Sequence, residues 1–135
     1  GHIIEHLPDP FAVLEKLKSF AHDNTTFIID GPLERNFCIS RIYVDLGSKL
    51  KSKKHNNFAP QHLTLTNKKS QLLFFQSIGL KTERYTVVEQ YFPLPSSFGK
   101  SITNNISYLI ATFSIFVSKI IPSSGNVFHY RGRIS

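Results

Sequence analysis

A chain of 135 residues has room for one ordinary domain and not for two. Its 41% hydrophobic content, with 12 Phe and 5 Tyr, supplies a packed core and excludes wholesale disorder. A formal charge of +7 admits nucleic acid, an anionic membrane surface or an acidic substrate as partner, and charge does not choose among them.

In chain order, Asp9 and Pro10 open a first helix. Asp9 can cap the free N–H groups and Pro10 suits the first helical position. Phe11, Leu14, Leu17 and Phe20 recur at helical spacing, and Asp23 and Asn24 end the helix. The β-branched and apolar run 25–30, closed by Gly31 and Pro32, predicts a buried strand. Helix, turn and strand in that order are the grammar of an α/β fold. Residues 31–65 are mixed and basic, and read mainly as loop with a short helix near 37–46. Lys49, Lys51, Lys53 and Lys54, then Lys68 and Lys69, hold much of the excess charge and read as solvated.

A second helix starts at Thr66 or Asn67, carries Leu72, Leu73, Phe75 and Ile78, and stops at Gly79, which fits a left-handed C-terminal cap. Residues 85–92 predict a strand, broken by Pro93 and Pro95. From 102 to 121 only Lys119 is charged. A span needs about 20 mostly apolar residues, and this stretch is diluted by Thr, Asn and Ser. It is expected to be a packed helix, with peripheral membrane contact through 102–121 as the other reading. Residues 122–125 form a turn, and 127–130 a short final strand.

Three stretches carry a family resemblance. His2-Ile3-Ile4-Glu5-His6-Leu7-Pro8-Asp9-Pro10 resembles the "HVLEHLPDP" signature that follows the fourth strand of many class I S-adenosylmethionine-dependent methyltransferases. The helix and strand through Ile29, with Pro32 just after, look like that family's next helix and fifth strand. Pro60-Gln61-His62-Leu63 through Gly79-Leu80 is similar to the family's "PxHLxxFT…LL…aGF" segment before the sixth strand.

The resemblance implies an α/β fold: a partial Rossmann-like methyltransferase sheet of later strands, with an antiparallel last strand, flanked by helices. Residues 1–135 would be the C-terminal part of a single methyltransferase domain, with an apolar helical insertion at about 93–125. Gly1 and His2 would sit beside the donor, and Pro32 and Glu34 would face a small-molecule or saccharide acceptor. His62, at the mouth of the cleft, could position or deprotonate an acceptor hydroxyl, since imidazole titrates near neutrality. Glu5 and His6 are expected to tie their loop to the helix N-terminus.

The cofactor implied is S-adenosylmethionine. Its usual cradle is a Gly-rich turn plus an acid holding the ribose hydroxyls. The seven glycines here, at 1, 31, 47, 79, 99, 125 and 132, form no such turn. The chain is therefore expected to be a fragment, inactive alone.

His2 to Glu5 to His6 also satisfies H-x-x-E-H, a zinc-protease pattern that needs one helix face. Pro8, two residues later, leaves that helix little room, and no metal is expected. A non-enzymatic basic module, binding nucleic acid or an anionic membrane surface, is the alternative function. The aromatics are not interleaved with the lysines, so nucleic acid is not the expected partner. Cys38 stands alone, so no internal disulfide can form, and a reducing, cytoplasmic location is expected.

Overall fold

The computed structural model describes residues 2–50, 63–90 and 98–134. A 3-10 turn at Ile4–His6 leads into α1 (Pro10–Lys18), followed by β1 (Thr26–Pro32), α2 (Ile39–Leu50), α3 (Lys68–Ser77), β2 (Leu80–Val88), α4 (Ile102–Ile120) and β3 (Val127–Ile134). The α/β reading holds. The three strands form one sheet in the order β1-β3-β2. β3 runs antiparallel to both neighbours, so the last strand in sequence is the middle one in space.

Local chemistry explains most boundaries. The Asp9 side chain accepts the Ala12 N–H at 2.9 Å, with Pro10 in the first turn, as capping predicts. α1 ends earlier than the sequence suggests, because its last turn is closed at Lys18 and a separate His22–Thr25 turn follows. At α3, Asn67 and Ser70 satisfy each other's backbone N–H groups as a capping box. Gly79 ends the segment in the left-handed region with φ 71°, as its position after Ile78 predicts.

Two segments differ from the sequence reading. Residues 31–65 read mainly as loop with a short helix near 37–46, and the helix that forms there is longer, three turns over 39–50. Ile39, Ile42, Tyr43 and Leu46 lie at helical spacing, and packing against α4 holds a helix that Gly47 and the lysines argue against. β2 starts at Leu80 rather than 85, directly from the Gly79 turn. Lys81, Glu83 and Arg84 look like loop residues, but an edge strand leaves their side chains in water. The register shifts between Thr82 and Arg84, and the bulged Glu83 accepts from Arg131 Nε at 3.0 Å and forms an ion pair with Arg133, whose Nε lies 2.8 Å away.

The core lies on one face of the sheet. Phe75 and Ile78 of α3, with Leu14 of α1, pack on Leu80, Val87, Phe128 and Tyr130. Phe75 sits 3.9 Å from the Tyr130 ring centroid, and Tyr85 stacks on Phe128 at 5.7 Å and 6°. On the other face Ile28, His129 and Arg131 are exposed. α4 packs on α2 and β2 with Ala111 and Ser114 buried, which agrees with a packed helix. Among the described residues no helix is long and apolar enough to cross a membrane.

One side chain knits the loops at the end of β1. Asn36 Nδ2 donates to Ser123 O at 2.8 Å and Gly125 O at 2.9 Å, while its Oδ1 accepts the Lys68 N–H at 3.4 Å. The turn before β3 and the start of α3 are thereby fixed beside the strand that precedes the candidate cleft.

Candidate functional site

A cleft of about 240 Å³ opens at the carboxyl end of β1. Pro32 ends that strand and lines the cleft, with Ile4, Glu5, Thr64, Thr66 and Gln71 among the other walls. The volume falls below the usual range for drug-sized ligands, about 300–1,000 Å³, so the space suits a small group.

Backbone bonds assemble this corner. The His2 N–H donates to Asp30 O at 3.2 Å, with His2 held at φ 57°, a left-handed conformation uncommon for a residue with a side chain. The Glu5 carbonyl accepts from Leu63 N at 2.8 Å and Thr64 N at 3.2 Å. Thr66 Oγ1 reaches the Pro32 carbonyl at 3.5 Å, and Arg35 N donates to Thr66 O at 3.0 Å. Residues far apart in sequence thus form one rim.

Glu5 is the unusual group here. It is 3% exposed, and neither carboxylate oxygen has a hydrogen-bond partner among the described residues. Its Oε1 lies 3.7 Å from His2 Nδ1 and 3.8 Å from His6 Nε2, close enough for attraction to a protonated imidazole but too far for a hydrogen bond. Burying a carboxylate without a donor costs stability, and a functional role is one of the physical explanations for such an orphan group in a native fold. The sequence reading tied Glu5 to the helix N-terminus. In the structure Asp9 does that capping, while the Glu5 backbone ties the 63–64 segment and its carboxylate faces the two histidines.

Of the residues singled out from the sequence, His2 and Pro32 come together around this corner. Glu34 lies in the turn after β1, half-buried and outside the cleft lining. Gly1 and His62 lie outside the described residues, as do the lysines at 51, 53 and 54. Thr64, Thr66 and Gln71 were not singled out. Gln71 has a signal in the sequence, since it falls one and two helical turns before Phe75 and Ile78 on the apolar face of α3, where it is buried. The H-x-x-E-H residues occupy the region of a three-residue 3-10 turn, not a helix face. No group of three metal-binding side chains forms among the described residues.

A second polar cluster is buried under α2. Ser40 Oγ donates to Glu89 Oε1, Asn126 Nδ2 donates to the same oxygen at 3.4 Å, and Ser40 N donates to Ser114 Oγ at 3.2 Å. Burial pushes the Glu89 carboxyl above the ordinary range despite the hydroxyls that favour its charge. Burial also pushes the Cys38 thiol up, which suits a packed side chain rather than a nucleophile.

No known family model matches the chain, and no curated protein sequence matches it.

Proposed function

We propose that this chain is the C-terminal part of an S-adenosylmethionine-dependent methyltransferase domain and supplies the acceptor side of its cleft. The observation that carries the reading is the cleft at the carboxyl end of β1, walled by Pro32 and the buried Glu5. The three motifs in their order support it, and so does an antiparallel last strand. The acceptor on this reading is a small molecule or saccharide bearing a hydroxyl, with Pro32 on its side and His62 positioning or deprotonating it.

The residues present do not fit a complete donor site. No Gly-rich turn exists in the sequence, and of the two residues that the resemblance sets beside the donor only His2 lies among the described residues. No chemical step is therefore assigned through the donor, and the chain alone is inactive. The basic-module alternative has less support, because the exposed Arg131 and its neighbour Arg133 are both paired with Glu83.

Two measurements test the proposal. Incubation of the purified chain with labelled donor and a panel of hydroxyl acceptors gives no transfer; turnover would overturn the half-site reading. The coding DNA upstream of Gly1 encodes, in frame, a strand followed by a Gly-rich turn; a start codon directly before Gly1 would remove the basis for a methyltransferase fragment.

A further inference from the structure

The outward side of α4 carries a row of six large apolar residues: Ile102, Ile106, Leu109, Phe113, Phe116 and Ile120. They are 46% to 80% exposed, on a helix whose opposite side is packed on α2 and β2. Their spacing alternates four and three residues over the whole helix, the a/d repeat with which one helix meets another. From this geometry we infer that α4 is a self-association surface, pairing antiparallel with α4 of a second copy of this chain.

Three observations favour a second copy over other occupants. The row is self-complementary about position 111, so an antiparallel mate sets Leu109 against Phe113, Ile106 against Phe116 and Ile102 against Ile120. That places a d-type residue opposite an a-type residue at each level, as a two-fold axis requires. Six half-open side chains of this size offer on the order of 600 Å² per copy, or about 1,200 Å² in a dimer, the low end for a specific interface. The only charge on the helix, Lys119, stays at opposite ends of an antiparallel pair, whereas a parallel pair would bring the two together.

A lipid surface fits less well. Helices that lie in the membrane interface carry Lys and Arg along their polar side. Here the residues beside the row are Thr103, Asn105, Thr112 and the single Lys119. The face also lies away from the free edge of β1, because α4 packs at β2 on the far side of the sheet.

Sedimentation velocity of the 135-residue chain tests the inference. A monomer–dimer equilibrium in the micromolar range is expected, strengthened by salt because each copy carries +7. Leu109→Glu and Phe116→Glu each weaken it at least tenfold with an unchanged circular dichroism spectrum. Phe20→Glu, at an exposed aromatic of the α1 end, leaves it intact. A wild-type chain that stays monomeric overturns the inference, as does equal loss on Phe20→Glu, which would indicate unspecific sticking. Flotation of a monomer with phosphatidylcholine/phosphatidylserine vesicles, lost in Leu109→Glu, would assign the face to membranes instead.

Discussion

Phe75→Ala tests whether the α3 face is what holds the sheet. Phe75 is fully buried, with Tyr130, Phe74 and Phe128 centroids at 3.9, 5.7 and 6.0 Å. Phe to Ala in a core costs about 3–5 kcal/mol. Three aromatic neighbours, each worth roughly 0.5–1.5 kcal/mol beyond area burial, place this site at the upper end. A domain of this size is stable by only about 5–15 kcal/mol, so the change removes a large share. With a urea slope of about 2 kcal/mol/M, the midpoint falls by roughly 2 M. The chain has no Trp, so far-UV circular dichroism is the probe. Leu73→Ala, on the same helix but 54% exposed, serves as control and moves stability by about 0.5 kcal/mol or less. A loss below about 1.5 kcal/mol at Phe75, or an equal loss at Leu73, would refute the assignment of the core.

Three further outcomes follow from the same contacts. Gly125→Ala puts a Cβ 2.5 Å from the Val88 carbonyl oxygen at φ 148°, and should cost about 2 kcal/mol or more by thermal melting. Glu89 binds its proton more tightly folded than unfolded, so its contribution is full below the ordinary carboxylate range and is lost as pH rises through the raised value. Glu89→Gln should flatten that part of the stability–pH curve; an unchanged slope would place the titration elsewhere. Glu5→Gln keeps the shape and removes a buried charge without donors, so stability should rise by about 1 kcal/mol. A comparable loss in chemical denaturation would instead make Glu5, His2 and His6 a structural ion cluster.

The parts of this protein legible in the sequence are those set by neighbours along the chain. Asp9 with Pro10, Asn67 and Gly79 mark helix ends because caps act over a few residues, and each lies where its chemistry requires. The 26–32 strand and the 102–120 helix are visible for the same reason, since apolar content and periodicity are local properties. The later part of α2 and the first half of β2 are not legible this way. One is stabilised by packing on α4, and the other by pairing with β3 and a bulge that turns Glu83 toward two arginines.

The candidate site divides along the same line. Its residue types are visible in the His2 to Pro10 motif, which suggests chemistry without saying where any side chain stands. Only the tertiary structure decides that the Glu5 carboxylate is buried without a donor, that Thr64 meets the Glu5 backbone and that Thr66 meets Pro32 at the cleft. It also decides that β3 lies between β1 and β2, bringing the end of the chain to the centre of the sheet. The physical reason is that burial and strand pairing depend on elements tens of residues apart, whose meeting no single stretch of sequence encodes.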